Sequence, residues 1–185
     1  MILVISVCRE KLHELEFVKP VEKILRDNFL TKNYKDVTQE DLNSAEKVII
    51  CGTSLRDFEY LEHLGNFSWI KDFPKPVLGI CAGMQIIGLT FGSEISNGVY
   101  IGTHFGNFSE VFANKFFDEG ETVQEVYYLH KKIVGLPEGF EKLNEGLSYP
   151  TAFKHGEKEI YGVLFHPEVL NRELIEKFVE GFKTN

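Results

Sequence analysis

Two short strings in this sequence hold residue types that could do chemistry together. The first is Gly79-Ile80-Cys81-Ala82-Gly83, a nucleophile between glycines, with an apolar run before it and the helical pattern Met84-Gln85-Ile86-Ile87 after it. A reactive residue at a tight strand-to-helix turn takes up a strained backbone, and flanking glycines relieve the crowding around it. A helix N-terminus favours the anionic form of a thiol placed on it, because the dipole and the unpaired N–H groups stabilise negative charge. The N–H after the nucleophile, that of Ala82, then points to where an oxyanion would form. Taken alone, the string also fits a small cysteine buried between strand and helix.

The second string is Phe165-His166-Pro167-Glu168-Val169, with an imidazole and a carboxylate two positions apart after another apolar run. A thiol nucleophile needs a base to take its proton and return it to a leaving amine. The base in turn needs a third group to fix its tautomer. Cys81, His166 and Glu168 fill these three roles. Read separately, His166 fits a core or capping histidine and Glu168 a solvated first helical turn.

The elements around these strings decide whether they can meet. Apolar runs at residues 2–5, 48–50, 77–80 and 160–165 alternate with segments of helical period. This predicts an α/β fold, a doubly wound, mostly parallel sheet with helices on both faces. In such sheets sites lie beyond the carboxyl ends of the strands, which puts Cys81 and His166 on one side. Phe17, Val21, Ile24 and Leu25 recur at helical spacing with Pro20 near the start, where its missing N–H costs little. Leu174, Ile175, Phe178, Val179 and Phe182 mark a closing amphipathic helix. Residues 91–128 are punctuated by Gly92, Gly98, Gly102 and Gly106, with β-like stretches at 99–101 and 108–112. A twisted, partly antiparallel sheet is expected there. Phe116-Phe117-Asp118 and Glu157-Lys158-Glu159 read as solvated faces or turns, and the whole of residues 1–185 reads as one domain.

PVLGICAGMQIIG (residues 76–88) and YGVLFHPEV (residues 161–169) resemble the two signature blocks of class I (triad) glutamine amidotransferases, in the expected order. The similarity in layout covers essentially the whole chain. It implies the flavodoxin-like fold of that family and hydrolysis of glutamine: Cys81 attacks the carboxamide, His166 shuttles the proton and Glu168 holds the imidazole. A γ-glutamyl thioester forms, ammonia leaves and water releases glutamate. Gln85 matches a family glutamine that helps hold the substrate. Gly52 and Thr53 match the loop that supplies the second oxyanion amide, beside that of Ala82. Phe105 and Gly106, in THFGNF, resemble the segment that grips the amino-acid end of glutamine; His104 beside them reads as an ordinary surface or core histidine.

Two departures from the family pattern stand out. Gly52-Thr53-Ser54 replaces the common Gly-Gly-Pro or Gly-Pro-Gly and is closer to the loop in the glutaminase of imidazole-glycerol-phosphate synthase. The β-branched Thr53 disfavours positive φ, so a loop that rests inactive until a partner flips it is one expectation. Tyr128 to Lys132, followed by Leu136-Pro137-Glu138-Gly139-Phe140, resembles the GMP synthase amidotransferase, but Leu129-His130-Lys131-Lys132 stands where that family has Ser-His-x-Asp.

Composition narrows the partners. With 28 acidic and 20 basic side chains the formal charge is −8, which argues against phosphate backbones and anionic membranes as partners. The N-terminal apolar run is too short to span a bilayer and is followed by charge, so a cytoplasmic protein is expected. Three cysteines without CxxC spacing, and His13, His63 and His155 without ligand spacing, predict neither a disulfide framework nor a metal site. No cofactor is expected. No GxxxxGK[ST] phosphate loop occurs, so a separate synthase subunit is expected to use the ammonia. The alternatives are a partner-independent γ-glutamyl hydrolase and a non-catalytic scaffold of the same fold.

Overall fold

The computed structural model describes residues 1–181, with Glu119 through its backbone only. Nine strands and six α-helices follow in chain order: β1 (Ile2–Ser6), α1 (Glu14–Phe17), α2 (Lys19–Leu25), β2 (Phe29–Asn33), α3 (Gln39–Ser44), β3 (Lys47–Ile50), β4 (Val77–Ile80), α4 (Ala82–Thr90), β5 (Ile95–Asn107), α5 (Glu110–Phe116), β6 (Val123–Val134), β7 (Phe140–Lys142), β8 (Ala152–His155), β9 (Ile160–Val163) and α6 (Arg172–Glu180). A 3₁₀ segment, Glu59–Lys71, joins β3 to β4.

The main sheet has the order β2-β1-β3-β4-β9-β8-β7. Its first five strands are parallel, and β8 and β7 close it antiparallel. Strands β1, β3, β4 and β9 are buried on both faces, which is why they read as continuous apolar runs rather than alternations. Helix α2 packs against α6, and α4 packs against the 59–71 segment and β6. The doubly wound α/β class expected from the alternation is the one observed.

Local chemistry accounts for the element ends. Pro20 sits in the first turn of α2, and Thr38 and Asp41 close a capping box on α3. Lys47 Nζ donates to the carbonyls of Phe178 and Val179 at 2.7 and 2.8 Å, capping the C-terminal end of α6. Leu174, Ile175 and Phe178 of the expected stripe are buried and Val179 packs on the core; Phe182 lies outside the described residues.

The middle of the chain needs two corrections. An antiparallel ribbon does form, but it pairs β5 with β6 and runs on to Val134. Only Phe108 of residues 108–112 makes a β-bridge. The Ser109 side chain accepts from Phe112 N–H, and this cap starts α5, whose Phe112, Ala113 and Phe116 turn inward. Phe116 and Phe117 are therefore buried, not solvated, in a cluster with Phe108, Phe112 and Tyr161.

Candidate active site

Strand β4 turns into α4 at Cys81, which has φ 50° and ψ −100°. Among the described residues only Arg26 and Asn28 share a positive φ without being glycine. Such a backbone costs on the order of 1–3 kcal/mol and persists only where packing enforces it. That packing is tight: a Cβ on Gly83 would lie 2.2 Å from the Ile50 carbonyl oxygen, and one on Gly79 would lie 2.5 Å from the Gly83 carbonyl carbon. The glycines let α4 lie directly on the ends of β3 and β4. Residues 82–88 are buried throughout, as in a helix covered on all sides. No side-chain hydrogen bond from Cys81 caps this helix, and Ala82 at its start lines the cleft.

Register brings His166 to the same place. Ile80 pairs with Val163, and Cys81 N–H donates to the Val163 carbonyl at 2.8 Å, so the chain leaving β9 passes beside the cysteine. His166 N–H donates to Tyr127 O of β6 at 2.8 Å, and Phe17 of α1 packs 5.6 Å from the imidazole ring. His166 Nδ1 donates to Glu168 Oε1 at 2.7 Å, with both side chains 1% exposed. This bond orients the ring and leaves Nε2, which is buried, as the nitrogen not engaged by Glu168. The Cys81 thiol instead donates to the Leu129 carbonyl at 3.6 Å. Burial disfavours charge on His166, but the Glu168 carboxylate and the Cys81 sulfur outweigh it and hold the imidazole pKa well above its ordinary value.

Gly52 separates these groups from β3. A Cβ there would lie 2.7 Å from His166 Cε1 and 3.4 Å from the Cys81 Cβ, so only glycine lets the two side chains approach. The cleft beside Cys81 is walled by Thr53, Tyr60, Ala82, Gln85, His130 and Lys131, among others, and has a volume of about 10 Å³. That is a narrow cleft, with room for about one water.

Gln85 is 3% exposed, not the surface residue its helical position would allow. Its Oε1 accepts from Tyr60 Oη at 2.5 Å, and its Nε2 donates to the Lys132 carbonyl at 3.1 Å. Burial pushes the Tyr60 hydroxyl far up, so it stays a neutral donor. His130 is also buried, and its Nδ1 donates to the Gly98 carbonyl at 2.8 Å. Burial lowers its pKa, which favours the neutral ring.

The structure thus brings together Cys81, His166, Glu168, Gly52, Thr53, Ala82 and Gln85. It does not bring Phe105 and Gly106 to them. These lie further along the ribbon, paired with Glu125 and Gln124, while the cleft residues Leu129 and His130 pair with Ile101 and Tyr100. Thr103, two register steps before Phe105, pairs with Tyr127, and neither Phe105, which is 67% exposed, nor Gly106 lines the cleft beside Cys81. His104 is exposed beside Tyr100. Tyr60 and the buried Asp57, which accepts from Thr53 Oγ1 at 2.8 Å, were not marked by any sequence signal.

Known proteins with this arrangement are numerous. One of the glutamine-hydrolysing GMP synthase subunits, from Archaeoglobus fulgidus, is 30% identical over 174 residues, covering 86% of this chain and 90% of that protein. Its counterpart of the same name from Methanobrevibacter smithii is 36% identical over 117 residues, 59% of each chain. The GMP synthase of Vibrio vulnificus is 33% identical over 119 residues, and the match spans 23% of its length. The crystal structure of a putative GMP synthase subunit from Thermoplasma acidophilum shares the fold, with a TM-score of 0.80, 23% identity and coverage of 97% and 92% of the two chains. The profile of the class-I glutamine amidotransferases matches residues 20–183, and the chain belongs to that family.

Proposed function

We propose that this chain hydrolyses the side-chain amide of glutamine through a Cys81-His166-Glu168 triad and hands the ammonia to a separate synthase subunit. The observation that carries this reading is the buried His166–Glu168 hydrogen bond at 2.7 Å, with a free Nε2 beside the strained Cys81. His166 carries the proton of the thiol, and the Cys81 thiolate attacks the carboxamide carbon. The oxygen of that carbon becomes an oxyanion, met by the N–H groups of Ala82 and Thr53. His166 then protonates the nitrogen, the C–N bond breaks, and ammonia leaves a γ-glutamyl thioester on Cys81. Water, deprotonated by His166, attacks the thioester; glutamate departs and the thiol is restored. Glu168 holds the imidazole and stabilises its charged form. Gln85, held by Tyr60, contacts the substrate.

A synthase as partner is supported by the relatives, two of which are single subunits of a GMP synthase. Because Lys131-Lys132 replaces the acidic end of the familiar motif, the assignment to GMP synthesis rests on those relatives and not on the site. The test is to measure glutamate and ammonia formed from glutamine, with and without the co-expressed synthase. Equal amounts of the two products, a rate raised by the synthase, and loss of both products in Cys81→Ala are expected. Turnover that survives Cys81→Ala would refute the triad.

A further inference from the structure

The Gly52–Thr53 peptide does not follow the strand before it. In an extended strand the N–H and C=O of one residue face the same neighbour, and successive residues alternate. Cys51 N–H donates to Ile5 of β1 at 3.0 Å, so in a continued strand the Gly52 carbonyl would face β4. Instead it accepts from Cys8 Sγ at 3.8 Å, in the segment that follows β1. Burial pushes the Cys8 thiol up, which keeps that sulfur a donor. The peptide is trans, so its N–H points opposite its carbonyl. With β3 lying between β1 and β4, the Thr53 N–H is turned to the side of Cys81. Thr53 reaches this without a positive φ, so the flip expected for an inactive loop is not required.

One buried carboxylate fixes the turned-over peptide. Asp57 Oδ2 accepts from Thr53 Oγ1 at 2.8 Å and from the Arg9 N–H beyond β1 at 2.6 Å. Its Oδ1 accepts from Glu59 N–H at 3.3 Å, and its own N–H donates to Ser54 O at 3.0 Å. Asp57 therefore ties Thr53 to the end of β1 on one side and to the start of the 3₁₀ segment on the other. We propose that Asp57 is a positioning residue for the reaction, holding Thr53 so that its N–H meets the oxyanion formed at Cys81. This rests on the triad reading above, in which the Thr53 amide is the second oxyanion donor.

An interaction made only in the transition state lowers kcat when lost and leaves KM nearly alone. Deleting an oxyanion donor outright costs about 10²–10³ in kcat; a donor left loose should cost on the order of 10-fold or more. The experiment uses the full chain together with its co-expressed synthase, with Asp57→Ala, Thr53→Val and Thr53→Ser, and reads glutamine turnover beside alkylation of Cys81 by 6-diazo-5-oxonorleucine. In that alkylation the sulfur bonds to the protonated diazo carbon, N₂ leaves and the ketone is unchanged, so no tetrahedral oxyanion forms. Asp57→Ala and Thr53→Val should lose kcat by about 10-fold or more, with KM and the alkylation rate within about threefold. Thr53→Ser, which keeps the hydroxyl, should recover most of what Thr53→Val loses. Unchanged kcat in the first two variants would overturn the proposal, as would kcat and alkylation falling together, the mark of a merely structural role. A wild-type chain that neither turns over glutamine nor is alkylated would instead overturn the triad reading, and this proposal with it.

Discussion

His166 holds its proton above the ordinary imidazole range because a carboxylate and a sulfur face it in a buried site. The proposed chemistry needs that proton for the leaving ammonia, and the imidazole takes another from the attacking water. Activity should fall at alkaline pH as the imidazolium loses its proton. Glu168→Gln removes the charge that favours this proton, so the alkaline limb of the kcat/KM profile should move to lower pH, with a lower plateau. A limb that stays in place would mean the carboxylate does not stabilise the imidazolium. Tyr60 offers a second test at the same scale. Tyr60→Phe leaves Gln85 Oε1 buried without its donor, a loss of about 1–3 kcal/mol. The KM for glutamine should rise by about fivefold or more while kcat changes little. An unchanged KM would show that the orientation of Gln85 does not matter to substrate binding.

The elbow between β4 and α4 was legible in the sequence because packing dictates its glycines: Gly79 and Gly83 stand where a Cβ would strike the backbone. The parallel strands were legible for a similar reason, since burial on both faces forbids polar residues in them. Other parts were not. The ribbon of β5 and β6 has a register shift between Asn97 and Tyr100, and no string fixes which of its residues, Phe105 and Gly106 included, reach the cleft. The 59–71 segment is a kinked 3₁₀ run, with non-helical angles at His63, so its buried Tyr60 follows no 3.6-residue period. Residues 108–112 read as a strand because aromatic content outweighed the Ser109 cap. The elbow also carries a stability prediction. Gly83→Ala places a methyl against the Ile50 carbonyl and should destabilise the chain by about 1–3 kcal/mol, as overpacking does. Urea denaturation measures this, and a shift of less than about 0.5 kcal/mol, ordinary for a neutral surface change, would contradict the packing described.

Taken as a whole, the molecule uses one rim of its sheet. The ends of β3, β4 and β9 deliver Gly52, Cys81 and His166, and β6 closes over them through the Leu129 and Tyr127 carbonyls. Folding thus assembles a thiol, an imidazole and a carboxylate from segments far apart in the chain, beside a narrow cleft. The partner would act on this rim, by admitting glutamine and receiving what leaves. The central claim is that Cys81 is the nucleophile in this assembly. Treating the chain, together with its synthase, with 6-diazo-5-oxonorleucine and mapping the peptides by mass spectrometry tests it directly. One adduct is predicted, on the peptide containing Cys81, slowed by added glutamine and matched by loss of turnover. Cys8 and Cys51, both buried, should stay unmodified. Complete loss of turnover with Cys81 unmodified would contradict the claim.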